Sequence, residues 1–379
     1  MMCAYILSPR QEVVTAFTNL GIQVTRIVES DNTSQETKES VNGEIHVKSI
    51  TNPFEIADII CETATDFYEE NTICVGLGDQ TSLTASVVNE LLGVAGGKYA
   101  PISTLFVLKN KPLLRRLLSM KLPQYSGYFK VVSDADDVRN SFRQNQNGIV
   151  VKPLSGSGSR NVLRLQSEDD IAKNLVSFSF PALVEECFFG PEYSVEAITI
   201  DGQHQPLAVT EKILGGESGV IEIGQIQPAN IDASTKELLF EVTTNLLDAV
   251  GLNFGLSHTE IILEKDTPKI VESHGRVGGD RIADLLRFTT GYDAFERLGA
   301  AIATGKFLPI EPIASSCRVD FVDLSDYQES DLEWKDKALS DPNVRLAEVL
   351  KPAECRGRIW CSADRHAFTL SVFDRKVKR

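Results

Sequence analysis

No stretch of this chain is apolar for long enough to cross a bilayer, which argues against a membrane-spanning protein. The opening Met-Met-Cys-Ala-Tyr-Ile-Leu is too short for the apolar region of a secretory signal and runs at once into Ser-Pro-Arg, so a cytoplasmic protein is expected. There is no Cys-x-x-Cys pair, and the seven cysteines are odd in number. Several lie in apolar runs such as Ile73-Cys74-Val75. Buried free thiols in a reducing compartment fit this usage better than disulfides or a zinc site. The Gly-x-Gly-x-x-Gly fingerprint is missing, which speaks against a dinucleotide site. Positive charge is in deficit: 38 Lys and Arg face 53 Asp and Glu, for a net charge of −15. That excludes a general nucleic-acid binder, which needs a basic surface. Any anionic ligand must meet locally placed Lys and Arg. The expected partners are therefore small molecules, with no nucleic acid and no membrane, and a homodimer is compatible with the composition.

What is present suits a soluble globular chain. The 379 residues suffice for roughly two or three domains, and 42% apolar with 24% charged residues is ordinary. Apolar runs at 4–7, 22–28 and Thr72 to Leu77 alternate with helical spacing at Gln11 to Leu20, Phe54 to Tyr68 and Leu83 to Leu92. Such alternation predicts a parallel α/β sheet over residues 1–105. A short basic helix follows at Lys111 to Ser119, and another helix at Asp134 to Phe142. Strands are expected at Gly148 to Pro153, Asn161 to Leu165, Ala182 to Cys187, Tyr193 to Ile200 and Leu207 to Ile213, which suggests antiparallel sheets. Ser234-Thr-Lys-Glu237 fits a capping box, and Leu238, Val242, Leu246 and Val250 space helically up to Gly251. Helices are expected at Arg281 to Phe288 and Ala294 to Thr304. The expected division is 1–105, 106–180, 181–310 and a small strand-rich stretch at 311–379.

Three constellations carry chemistry. Lys152 ends the apolar strand Gly148-Ile-Val-Val and opens Pro153-Leu-Ser155-Gly156-Ser157-Gly158-Ser159. A lysine there is costly unless it snorkels or meets an anion, and small residues let backbone N–H groups approach phosphate oxygens. The loop is not a Gly-Lys-Ser/Thr phosphate loop, and a plain surface hairpin is the competing reading. Lys111, on the helix with Arg115, is a similar candidate. Next, Glu185, Glu186, Glu192 and Glu196 surround a strand–turn–strand. A carboxylate at such a turn can accept ribose hydroxyls, and strand backbone can read an adenine edge. A hydrated edge is the alternative.

The third constellation is Ser257 to Asp280. Ile261 to Leu263 and Ile270 to Val271 flank Lys265-Asp266-Thr267-Pro268, which predicts a β-hairpin. A loop of Lys265 to Thr267 sets Glu264 opposite Pro268, Glu260 opposite Glu272 and His258 opposite His274, all four projecting to one face. Opposed like charges destabilise a sheet, so a cation between Glu260 and Glu272 is expected. Two carboxylates beside substrate phosphates are the usual setting for Mg²⁺. The competing reading is a solvated face or a register shifted by one residue.

In this order the elements resemble the ATP-grasp superfamily, specifically its carboxylate–amine ligases. The motifs are Lys111; Val-Val-Lys152-Pro with Gly156 and Gly158; Val-Glu185-Glu186 with Gly190-x-Glu192; His-Thr-Glu260; and Glu272-x-x-x-Arg276-x-Gly278-Gly279. The closest likeness is to the L-amino-acid ligases that make dipeptides, including those of dipeptide-antibiotic pathways. The strand Ala208-Val-Thr-Glu-Lys212 and the segment Ile221 to Pro228 look like that branch too. The resemblance implies an α/β, or α+β, ATP-grasp fold: a parallel α/β domain first, then two lobes with antiparallel sheets that clamp a nucleotide. It implies ATP with Mg²⁺, Mn²⁺ being an acceptable substitute. Lys111 and Lys152 would hold phosphates under a lid built on Ser155 to Gly158. The Glu185–Glu186 strand would meet adenine and Glu192 the ribose. Glu260 and Glu272 would ligate the metal, with His274 a further ligand candidate where the family usually has Asn.

The implied reaction is amide formation. The γ-phosphoryl group of ATP activates a carboxylate as an acyl phosphate, which an amine then attacks. Arg276 would stabilise the acyl phosphate and the oxyanion, and Gly278-Gly279 would offer N–H groups to an anion at a helix start. Arg281 and Arg287 are candidates for reading a substrate carboxylate, and His258 or His274 for the base. Another ATP-grasp reaction of nucleotide or cofactor biosynthesis, or ATP binding without turnover, remain alternatives.

Overall fold

The computed structural model describes every residue except 1, 31–42, 65–70, 95–96, 146, 157, 176–177, 217–218, 220, 328–329 and 375–379. Ser157 of the expected lid, and the end of the helix expected over Phe54 to Tyr68, lie outside the described residues. Among those described, the strands form three sheets.

The first sheet is parallel, in the order β3-β2-β1-β4, with β1 Cys3–Leu7, β2 Gln23–Glu29, β3 Glu44–Val47 and β4 Thr72–Gly76. Ala4, Tyr5, Ile6 and Leu7 are all buried, as a strand covered on both faces requires. Helix Gln11–Asn19 packs Val13, Ala16 and Phe17 on one side, and helix Pro53–Thr63 packs Ile56 and Ile60 on the other. Asn52 caps the latter by accepting the Phe54 and Glu55 N–H groups, with Pro53 in the first turn. Only β3 was not foreseen; it is short, half polar, and held as an edge against β2. The chain steps outward from β1 to β3, then returns to β4 on the other side of β1. The carboxyl ends of β1 and β4 thus flank a topological switch point, where open α/β sheets bind ligands.

The second sheet is antiparallel, in the order β5-β8-β6-β7, with β5 Phe129–Val132, β6 Ile149–Pro153, β7 Leu163–Leu165 and β8 Ala182–Glu186. Ile149, Val151 and Val184 pack with Val138 and Ile171 of two covering helices. By the twofold alternation of strands, Val150, Lys152, Leu183 and Glu185 turn to the opposite face.

The third sheet has eight antiparallel strands in the order β13-β12-β9-β10-β11-β14-β16-β15. They are β9 Glu192–Ile200, β10 Gln203–Gly215, β11 Ile221–Gln227, β12 Gly255–Glu264, β13 Thr267–His274, β14 Ala314–Val322, β15 Val344–Val349 and β16 Ala367–Asp374. Residues after 311 therefore extend this sheet by hydrogen bonding to β11. One face packs Tyr193, Val195, Val209, Ile261 and Ile270 against helix Ala233–Val250. On the other, Ile198, Ile200, Ala208 and Leu256 pack against Ala4, Ile6 and Phe17 of the first sheet's layer. Farther along that second face the same strands carry Glu196, Lys212, His258 and Glu260. One sheet face thus serves as domain contact at one end and polar floor at the other.

Two local expectations are corrected. Helix Ala233–Val250 is capped by Asp232, which accepts the Thr235 N–H, and not by Ser234; Ser234 donates to Asp232 instead. The hairpin loop is two residues, because Lys265 and Asp266 both take positive φ (49° and 67°), as a type I′ turn requires. Glu264 therefore pairs with Thr267. A bulge at Val271 restores the register, so that Glu260 still opposes Glu272 and His258 opposes His274.

Gly190 joins β8 to β9 under the hairpin. A Cβ there would sit 2.0 Å from the Leu263 carbonyl oxygen, a backbone atom that cannot step aside. Gly190→Ala is expected to destabilise the chain by about 1–3 kcal/mol, read as a lowered Tm in thermal unfolding.

Candidate active site

The second and third sheets face each other across a cleft. Lys152, buried at the end of β6, lies with Nζ 2.5 Å from Glu185 Oε2 on neighbouring β8. Arg115, from helix Lys111–Lys121, contacts the other oxygen of Glu185 and donates to the Ile270 and Val271 carbonyls. Arg115 thus bridges the two sheets at the β13 bulge. Burial pushes the Glu185 carboxyl up, but Arg115 and Lys152 outweigh it and hold it below the ordinary range. Glu185 is therefore a fully engaged side chain, and its neighbour Glu186 accepts the Tyr128 N–H at 3.2 Å. Lys111 reaches the glycine loop, donating to the Gly156 carbonyl at 2.8 Å. Gly156 and Gly158 take positive φ (128° and 69°), which their lack of a Cβ permits. Lys111, Lys152, Ser155, Gly156, Gly158, Glu185, Glu186 and Glu192 line one cavity of about 230 Å³ together with Phe188, Phe189, Glu260 and Glu272.

The floor of the cleft is acidic. Lys212, buried on β10, lies 2.6 Å from Glu222 and 3.5 Å from Glu192, and contacts Glu260. Three carboxylates share one ammonium. Burial lifts the Glu192 carboxyl to about 7, only partly offset by Lys212. Burial also pushes Glu260 up, but Lys212 and His258 outweigh it and bring it to about 2. For Glu272, burial is outweighed by His274, whose Nε2 is 3.0 Å away, and the carboxyl falls well below its usual value. His258 sits between Glu196 and Glu260, 3.1 Å from the latter. Burial disfavours its charge, yet the two carboxylates raise it to about 10. Both ring nitrogens of His258 are thus engaged by carboxylates, Glu196 at Nδ1 and Glu260 at Nε2.

At the open end, Arg276 pairs through Nε with Asp79, in the turn after β4, and donates to the Val277 carbonyl at 2.8 Å. Asp79 also lies 3.7 Å from His274 Nδ1. The nest expected at Gly278-Gly279 is half taken: the Gly278 N–H donates to buried Glu196 at 3.0 Å. A Cβ at 278 would come within 2.6 Å of His258 Nδ1. Gly279 faces open space. Arg281 and Arg287, expected to be available to a substrate, pair with Asp284 and with Asp293 and Glu296.

Residues 114–280 match the ATP-grasp domain family. The chain carries an ATP-grasp domain. It is 26% identical over 206 residues to alanine–anticapsin ligase of Bacillus subtilis strain 168, covering 47% of this chain and 43% of that protein. To the protein of the same name from Bacillus amyloliquefaciens it is 28% identical over 145 residues, 35% and 30% of the two chains. The matched region therefore spans less than half of these curated relatives. Among solved structures, L-amino acid ligase from Bacillus licheniformis superposes with a TM-score of 0.77 at 19% identity over 99% of this chain and 94% of that one. A carboxyaminoimidazole ribonucleotide synthase from Aspergillus clavatus complexed with ATP gives 0.73 at 15%, over 98% and 93%. At such identities the likeness establishes the fold, and the expected α/β ATP-grasp architecture is borne out.

Glu260 and Glu272, opposed on β12 and β13, are the two carboxylates that could hold a divalent cation such as Mg²⁺. Among the described residues no group of three His, Cys, Asp or Glu side chains is placed to cage a metal alone. The surplus of carboxylates over ammonium around Lys212 is the feature a divalent cation would relieve. Asp79 and Glu222 were not foreseen as parts of this cleft; Glu196 was read only as one carboxylate of the strand–turn–strand, and Lys212 only as the end of a family-like strand. Lys212 and Glu196 had a signal: each falls in twofold register with buried residues of its strand, where an unpaired charge is costly. Asp79 had none, since a charged turn residue is ordinary.

Proposed function

We propose that the chain is an ATP-dependent carboxylate–amine ligase that joins an amino acid, or a similar carboxylate, to an amine or second amino acid, releasing ADP and phosphate. The observation that carries this reading is the meeting of three features in one cleft: the two lysines with the glycine loop, the opposed Glu260 and Glu272, and Arg276 at its open end. Lys111 and Lys152 would hold ATP phosphates, with Lys152 positioned by Glu185. Lys111 ties the glycine loop down, which favours exclusion of water from a reactive intermediate. Phe188 and Phe189 offer an apolar wall for the base beside Glu192, the ribose candidate. Magnesium held by Glu260 and Glu272 would neutralise charge on the transferring phosphoryl group. In the chemistry, a carboxylate oxygen takes the γ-phosphoryl group and ADP leaves. The amine nitrogen then bonds to the carbonyl carbon, phosphate departs and the amine loses its proton. Arg276 stands where the acyl phosphate and oxyanion need a cation.

A phosphate-release screen over pairs of amino acids with Mg-ATP tests this. Release that needs two particular substrates, and that stops with EDTA, is the expected result. A ribotide or carbamate product, or tight ATP binding with no ADP formed, would replace the reading with another ATP-grasp reaction or a regulator.

A further inference from the structure

Two cavities meet where the first sheet's layer touches the third sheet. One is a crevice of about 790 Å³ at the β1/β4 switch point. The other is a chamber of about 220 Å³ over Glu260 and Glu272. Asp79, Arg276, Gly279, Asp280 and Ile282 line both and so form the doorway between them.

Of the charged groups at this doorway, Asp280 is taken by buried Arg365, at 2.7 Å. Asp79 and Arg276 pair with one another, Arg276 donating also to the Val277 carbonyl and Asp79 lying 3.7 Å from His274, and their side chains remain 35% and 16% exposed. A ligand passing from crevice to chamber therefore meets an anion and a cation side by side. A neutral ligand gains nothing from opening that pair. A simple carboxylate that takes Arg276 sets its own negative charge against Asp79, which then keeps only the longer contact with His274 at 3.7 Å, and like charges set together in a partly buried site are costly. An α-amino acid carries ammonium and carboxylate on one carbon, so it can satisfy both partners at once with charge-assisted hydrogen bonds.

We infer that Asp79 binds the α-ammonium of the carboxylate donor while Arg276 takes its carboxylate, so that the donor is an α-amino acid bound as the zwitterion. The donor role rests on the ligase reading above; the zwitterion site does not. The arrangement also sets the direction of coupling. An ammonium held on Asp79 stays protonated and has no lone pair, so the donor's own nitrogen cannot act as the nucleophile.

The test is a thermal-shift screen of the twenty common L-amino acids with Mg²⁺ and a non-hydrolysable ATP analogue. Calorimetric titration then compares the best ligand with its des-amino acid. The wild-type chain is expected to bind the amino acid at least tenfold more tightly than the des-amino acid. Asp79→Asn is expected to erase that preference by weakening the amino acid alone, and Asp79→Glu to restore part of it. Asp79→Ser serves as a second neutral variant should the amide fail to fold. Equal weakening of both acids in Asp79→Asn, or no amino acid bound by the wild type, overturns the inference. Selective amino-acid binding without phosphate release would leave this site standing and sink the ligase reading; phosphate release with a non-amino carboxylate would do the reverse.

Discussion

Arg276→Ala is expected to lower kcat for ATP-dependent phosphate release by roughly 10²–10³-fold, the usual loss when one preorganised charge-stabilising donor is removed. The reason is positional. The Arg276 guanidinium is held from two directions, by Asp79 and by the Val277 carbonyl, and faces the chamber over Glu260 and Glu272. A guanidinium so placed stands ready for the negative charge that develops there. Arg276→Lys keeps the charge but loses the fork that engages both partners, so it should recover only part of the rate. Circular dichroism and thermal unfolding should show the fold retained, because the side chain lies at the cleft mouth and not in an apolar core. Wild-type turnover by Arg276→Ala would remove this residue from the mechanism.

Arg115→Met is expected to destabilise the chain by about 3–5 kcal/mol, the range for removing one partner of a buried ion pair. Arg115 is 4% exposed, and its loss strips the Ile270 and Val271 carbonyls of their donor as well as weakening the hold on Glu185. Chemical denaturation would read the change. In a double-mutant cycle, Arg115→Met with Glu185→Gln should cost less than the sum of the single changes, because each single change already removes the contact the two side chains share. The pH dependence follows from the sign of the Glu185 shift. Its folded-state pKa is depressed, so its contribution is complete above the ordinary carboxylate value of about 4 and is lost as pH falls through the folded value. Glu185→Gln should therefore flatten the acid limb of the stability curve; an unchanged limb would count against the ion pair.

Much of this was legible along the chain because strands and helices announce themselves by local period. The alternation of the first hundred residues, the Lys152 strand with its glycine loop and the opposed Glu260 and Glu272 are all short-range patterns. Where reading failed, the cause was also local. Lys265 and Asp266 carry no glycine to signal a two-residue turn, so the bulge at Val271 was invisible although the register beyond it came out right. Ser234 looked like a cap, but Asp232 lies two residues earlier and its carboxylate is the one that reaches the Thr235 N–H.

The element order, the ATP-grasp motifs and the opposition of glutamates on the hairpin could be read along the chain, since each depends on neighbours a few residues apart. Which charges those groups meet was set by the packing of distant segments. Arg276 finds Asp79 from 197 residues away, Lys212 gathers three glutamates from separate strands, and Glu196 occupies the Gly278 N–H that looked free for a substrate. Partners so distant in sequence are chosen by sheet pairing and domain packing. A charge that must be buried takes whichever opposite charge that packing sets beside it.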